Sequence, residues 1–248
     1  MTDSVTHQPT LALVTGANKG IGYQIAAQLA EVGATVLLAA RDAGRREIAV
    51  ATLRATGGDV HPIALDVTDP ATVRAAAAHV EEHFGRLDVL VNNAGIAGAR
   101  AQTPSTADLD AIRAVFDTNV FGVMMVTNAM LPLLRRSPAP RIVNVSSGVG
   151  SLAAMSDPDS PLARMPPSAA YVPSKTTLNS LTVQYAKELR MDGILINAAD
   201  PGYCATDLNN NTGYRTAAQG AAIAVRLATL GSDGPTGGFF NDDGPVPW

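Results

Sequence analysis

The sequence predicts a single-domain α/β fold, a doubly wound parallel sheet of about seven strands with helices on both faces. Three observations predict it. Short apolar runs alternate with longer segments of helical spacing from one end of the chain to the other. The runs are continuously apolar, as strands covered on both faces are. The 248 residues suit one α/β unit, 1–248, and no interior stretch is rich enough in Gly, Ser or Pro to divide it.

Strands are expected at Leu11–Thr15, Thr35–Ala40, Val60–Leu65, Leu87–Val91, Arg141–Ser146 and Ile194–Ala199, most of them punctuated by Gly, Pro or Asp. Helices are expected between them, at Ile21–Val32, Arg45–Thr56, Ala71–Phe84, Asp108–Leu134 and Thr176–Met191. A further helix over Ala217–Leu230 leads to a seventh strand near Gly238–Phe240. Such alternation implies βαβ units with right-handed crossovers. Residues 1–9 are expected to be a disordered tail. The one irregular stretch is Gly148–Ser168, which holds Pro158, Pro161, Pro166 and Pro167. A loop of that length inside a compact domain is usually functional or disordered.

Composition removes several function classes. Charged residues make up 16% and hydrophobic residues 46%, a globular balance with a formal net charge of -4. No basic excess is present for a nucleic-acid or anionic-membrane partner. Cys204 is the only cysteine, so no internal disulfide forms, which fits a reducing cytoplasm. His7, His61, His79 and His83 lie in no recognisable site motif, so Cys204 reads as packing or pocket lining ahead of a nucleophile. No metal site is expected. Met1–Pro9 has no basic stretch followed by an apolar run, so no signal peptide is expected. The apolar stretch Val123–Leu134 is broken by Thr127, Asn128 and Pro132. It is shorter than the ~20 residues a membrane span needs.

The first strand runs into Thr15-Gly16-Ala17-Asn18-Lys19-Gly20-Ile21-Gly22. Glycines let a backbone turn tightly and approach a pyrophosphate. The helix that follows offers free N–H groups and the positive end of its dipole. The spacing is not G-x-G-x-x-G, and an ordinary βα turn is the bland alternative, but the position after the first strand favours a Rossmann-type phosphate cradle. The second strand ends Ala39-Ala40-Arg41-Asp42. NAD sites place Asp or Glu there for the ribose 2′-OH. Here Ala40 stands at that position, and Arg41 offers a guanidinium fork to a 2′-phosphate. Lys19 adds a second positive charge. Together they favour NADP (NADPH), with Asp42 reaching the ribose as the competing reading, and solvated surface charge the plain one.

With these residues the chain resembles the short-chain dehydrogenase/reductase family over essentially its whole length. Thr15–Gly22 is similar to the family's T-G-x-x-x-G-x-G loop, and Asn92-Asn93-Ala94-Gly95 to its N-N-A-G segment. Asn119, Ser147, Tyr171 and Lys175 fall where its catalytic set does. Pro201-Gly202 followed by Thr206 is similar to its P-G-x-x-x-T segment, and Asp66-Val67 to the pair that contacts adenine. The resemblance implies cofactor contacts from Gly16, Asn18, Lys19, Gly20, Ile21, Gly22, Arg41, Asp66, Val67, Asn93, Ala94, Gly95, Tyr171, Lys175, Pro201, Gly202 and Thr206. Thr15–Gly20, Ala40-Arg41-Asp42 and Gly234–Phe240 resemble the carbonyl-reductase branch. Animal carbonyl reductases carry a long insertion before the catalytic tyrosine that is much shorter here, so their monomeric state is not implied. Family members are often homo-oligomers, dimers or tetramers.

Tyr171 and Lys175 are spaced to share one helix face, and Pro173 between them is tolerable only in a first helical turn. A neighbouring ammonium lowers a tyrosine pKa, so Lys175 is expected to tune Tyr171. The resemblance adds that Lys175 grips the nicotinamide ribose, Ser147 bonds the substrate carbonyl oxygen and Asn119 holds a water. The expected reaction is NADPH-dependent reduction of a ketone or aldehyde, with Tyr171 as general acid. The substrate expected is a medium-sized, partly apolar carbonyl compound between Gly148–Ser168 and Tyr203–Tyr214. Leu152, Met155, Met165, Tyr203 and Tyr214 are candidate walls, and Asn209-Asn210-Asn211 with Gly213 a candidate lid. The alternatives are an oxidative NAD(P)-dependent secondary-alcohol dehydrogenase and a non-catalytic NADP-binding regulator.

Overall fold

The computed structural model describes residues 9–98 and 103–248. Most of the tail expected at 1–9 lies outside them. At the centre is β1 (Leu11–Thr15), flanked by β2 (Thr35–Ala40) and β4 (Val89–Asn92). Beyond β2 lies β3 (Val60–Ala64). Beyond β4 lie β5 (Arg141–Val145), β6 (Leu195–Ala199), β7 (Phe239–Asn241) and β8 (Gly244–Pro245). The sheet order is therefore β3-β2-β1-β4-β5-β6-β7-β8, eight strands, parallel except for the antiparallel β7–β8 pair. The chain reverses its direction of travel between β1 and β4, and open α/β sheets bind their ligands outside the strand ends at such a switch point.

Both faces are covered, which explains the continuous apolar runs. On one face α1 (Gly20–Glu31), α2 (Ala43–Ala55) and α8 (Ala217–Ala228) bury Ile25, Leu29, Leu53, Ile223 and Leu227 against Val14, Val36 and Val91. On the other, α3 (Pro70–Phe84), α5 (Gly122–Leu134) and α7 (Tyr171–Glu188) bury Val73, Val80, Met130, Leu134 and Tyr185 against Leu13, Leu37 and Leu90. Every residue of β1, β2, β4 and β5 is buried. Strand β3 is less covered, with His61 and Pro62 half-buried and Ala64 exposed. It is an edge strand, where proline is tolerated.

Three departures from the sequence expectation have local causes. The single helix expected over Asp108–Leu134 is α4 (Leu109–Phe116), a π-helical turn at Asp117–Phe121, and α5. A Cβ on Gly122 would come within 3.0 Å of the Val67 and Asp117 carbonyl oxygens, so only glycine fits the exit of that turn. By length and composition alone Leu109–Leu134 would cross a membrane, yet half of its most apolar window is buried in this domain. The stretch 148–168 is less irregular than expected. Ser151 caps α6 (Leu152–Ser156) by accepting from the Ala154 N–H at 3.0 Å, and Ser160 caps a 3-10 turn at Pro161–Arg164. Finally, Asn241 Oδ1 accepts the N–H groups of Asp243 and Gly244, a side-chain turn that folds β8 back on β7.

Candidate active site

The glycine loop is knitted to the end of β4. Gly16 (φ +64°) and Gly20 (φ +59°) occupy left-handed backbone that glycine adopts without strain. Thr15 Oγ1 accepts the N–H groups of Asn93 and Ala94, both at 3.0 Å. Asn93 Nδ2 donates to the Thr15 carbonyl at 2.8 Å. A Cβ on Gly22 would sit 2.3 Å from that Nδ2 and 2.7 Å from the Gly16 oxygen. Lys19 precedes α1 and gives it no side-chain cap, so the first N–H groups of α1 remain available to a phosphate.

A cleft of about 740 Å³ opens over these strand ends. All the expected cofactor contacts except Gly202 line it. Gly202 lies just behind, in left-handed backbone beside Pro201. The walls also hold residues to which the sequence assigns no site role, among them Arg45 and Thr118. Arg45 reads in sequence as the start of a helix. The signal for a second role was its distance of one helical turn from Arg41. A second hollow, of about 600 Å³, lies near Thr10, Asp88 and Arg141. Its charges already serve the fold, since Asp88 accepts from Leu11 N–H and Ser137, and Arg141 donates to the Leu230 carbonyl.

At the adenine end three cations meet three carboxylates. Arg41 lies 3.9 Å from Asp66, Lys19 2.7 Å from Asp207, and Arg45 3.8 Å from Asp42. Asp42 also caps α2 through the Arg45 N–H, so the fold itself occupies the residue that competed for the ribose. Ala40 is buried and brings no acid. Burial works against the charged form of Asp66, but hydrogen bonds from Thr68 and the nearby Arg41 outweigh it and hold the carboxyl below its usual range.

The other end is built from the buried Lys175 and Asn119 and the half-buried Ser147 and Tyr171. Tyr171 opens α7, with Pro173 in the first turn as expected. Ser147 is close enough to its hydroxyl to favour the phenolate, whereas the neighbouring Ser146 is buried and donates to Asn179 at 2.6 Å. Geometry therefore separates the two serines. The Lys175 ammonium lies 5.7 Å from the Tyr171 ring centre and donates to the Val145 carbonyl at 2.7 Å. Asn119 sits in the π-helical turn. Its side chain accepts from Ile96 N–H and donates to the Ile96 carbonyl and to Ser174 Oγ. Gly95 lies between Asn119 and Lys175, so a larger side chain there would crowd both.

The protonation states differ from the sequence expectation. Burial pushes the Tyr171 phenol up to about 12, Ser147 opposes the rise, and the Asp200 charge adds to it. Burial also pushes Lys175 down to about 8. Desolvation thus dominates the ammonium effect expected on Tyr171.

The segments expected to enclose substrate are partly ordered by their own polar contacts. Asn209 and Thr206 form a reciprocal capping box, Asn210 and Asn211 take left-handed backbone, and Gly213 packs against the Cys204 backbone. The Tyr203 hydroxyl meets Thr212 at 2.5 Å, and its ring lies 6.1 Å from that of Tyr214. Leu152, Met165, Tyr203 and Tyr214 are exposed. Cys204 is buried and donates to the Pro201 carbonyl, as a packing residue does.

A phosphate cradle and a Ser–Tyr–Lys group at opposite ends of one switch-point cleft define a dinucleotide-dependent oxidoreductase. The chain belongs to the short-chain dehydrogenase family, whose model matches residues 10–216. It is 41% identical to the short-chain dehydrogenase anuI of Penicillium roqueforti, over 94% of each chain. It is 34% identical to (-)-isopiperitenone reductase of Mentha piperita, over 94% of this chain and 96% of that one. That alignment spans 303 positions, so the mint protein carries segments this 248-residue chain lacks. Among solved structures, the NADPH-bound carbonyl reductase from chicken fatty liver superposes with a TM-score of 0.85 at 30% identity, covering 97% of this chain and all of that one.

Proposed function

We propose that the protein reduces a ketone or aldehyde to an alcohol with NADPH. The observation that carries the reading is Tyr171 beside buried Lys175 in the cleft that begins at the glycine loop, with Ser147 close to the Tyr171 hydroxyl. NADPH, when bound, supplies hydride to the carbonyl carbon. Ser147 and Tyr171 then present two donors to the oxygen on which charge develops. A phenol held near 12 stays protonated at neutral pH, the form that a proton donor in the reductive direction needs. Tyr171 hands its proton to the forming alkoxide. Lys175 brings a positive charge within reach of the phenolate left behind, and Asn119 fixes the α7 start through Ser174. Arg41, Lys19 and Arg45 at the adenine end, with no acid at Ala40, support NADPH over NADH. The two similar proteins named as reductases support the reductive direction. A cytoplasmic homo-oligomer completes the reading, supported by the single cysteine and by family habit.

A panel of ketones, aldehydes and quinones assayed with NADPH and NADH tests the reading. We expect NADPH-linked reduction of partly apolar ketones, and a loss of about 10²- to 10⁴-fold in Tyr171→Phe. Undiminished turnover by that variant sinks the mechanism.

A further inference from the structure

Asp200 is a carboxylate near the Ser147–Tyr171 pair, and the reaction as derived gives it no part. It follows β6 and precedes Pro201-Gly202. Its Oδ1 accepts the Gly202 N–H at 3.0 Å, and its own N–H donates to the Phe240 carbonyl at 2.7 Å. These two bonds fix the side chain. Oδ2 faces Gly148, the residue after Ser147. A Cβ on Gly148 would lie 2.8 Å from Oδ2 and 3.6 Å from Leu162, so only glycine lets the carboxylate come this close to the start of the 148–168 segment.

Among the described residues no donor reaches Oδ2, and no Lys, Arg or His lies within ion-pair distance of Asp200. Arg215 is engaged with Asp242 and Lys175 with the Val145 carbonyl. The turn-forming role uses Oδ1 alone and leaves Oδ2 over. Gly148 directly follows Ser147, so the carboxylate stands beside the segment that carries that serine.

We propose that Asp200 is a specificity-determining residue whose free Oδ2, beside Gly148, accepts an ammonium group of the substrate. The preferred substrates are then amino ketones, with the cation a short distance from the carbonyl. The inference rests on the reductase reading and names its substrate class.

The test uses aryl ketones with one to four methylenes between the carbonyl and a primary ammonium, each paired with a neutral partner carrying methyl in place of the ammonium. Wild-type protein with NADPH at pH 7 is expected to favour at least one ammonium ketone over its partner by about ten- to hundredfold in kcat/KM, mostly through KM. Asp200→Asn keeps the oxygen that Gly202 uses and removes the charge, and is expected to bring that ratio to about one. No preference in wild type at any spacing, or a preference that survives in Asp200→Asn, overturns the assignment. Calorimetric titration of the same pairs into NADP-loaded protein reads the preference without turnover, with equal affinities counting against Asp200. Turnover of the neutral ketones is read separately, so failure of the reductase reading is distinguishable from failure of this one.

Discussion

The two ends of the cleft handle charge in opposite ways. At the adenine end Arg41, Lys19 and Arg45 are solvated, each paired with a surface carboxylate, and rigidity comes from the backbone around Gly16, Gly20 and Gly22. At the chemical end Lys175 is 5% exposed, and burial moves both it and Tyr171 far from their ordinary values. Exposed charges recognise a ligand at little cost to the fold. A buried charge is costly, and it persists here where a proton must be controlled.

The sharpest way to break the contrast is to neutralise the buried cation. Lys175→Met is expected to lower kcat/KM by about 10²- to 10⁴-fold. It is also expected to raise stability at pH 7 by about 1–3 kcal/mol, the cost of burying the charge less the Val145 hydrogen bond it makes. The sign follows from linkage. Lys175 loses its proton near 8 when folded and near 10.5 when unfolded, so the unfolded chain binds more protons between those values. Stability from this group therefore rises with pH across that window. Thermal melts of both proteins at pH 7 and pH 10 check this, with the gain in the variant shrinking at the higher pH.

The backbone end breaks at Gly22. A methyl there meets Asn93 Nδ2 and the Gly16 carbonyl, so Gly22→Ala is expected to cost about 1–3 kcal/mol by forcing the loop off β4. Urea denaturation measures the cost, and NADPH titration is expected to show weaker binding in the folded protein. The smallest effect is expected at the exposed cations. Arg41→Ala should raise KM for NADPH by about tenfold and leave KM for NADH nearly unchanged. An equal rise for both cofactors would remove Arg41 from 2′-phosphate recognition.

Legibility in the sequence follows the same division. Strands covered on both faces announce themselves, which is why β1, β2 and β5 lie where their apolar runs do. Strand β8 has two residues and depends on one Asn241 side chain, too little for periodicity to register. The π-helical turn at Asp117–Phe121 is set by carbonyls from Val67 and Asp117 crowding Gly122, a contact between distant segments. Tyr171, Lys175 and the glycine loop are visible as spacing, but the direction in which Tyr171 shifts is not, because burial belongs to the assembled fold. Asp200 is hidden for a different reason: an acid directly before Pro201-Gly202 reads as a turn former, and only the fold sets its second oxygen against Gly148.

The paired charges around Arg41, Lys19 and Arg45 have a consequence for how a dinucleotide is held. Each cation already has an anion, so an arriving 2′-phosphate makes no wholly new ion pair; it displaces Asp66, Asp207 or Asp42 from a partner. Recognition at this end is a substitution reaction. Its strength is the difference between two similar contacts, and added salt weakens both the leaving and the arriving pair. The affinity for NADPH should accordingly vary less with ionic strength than three free cations would make it.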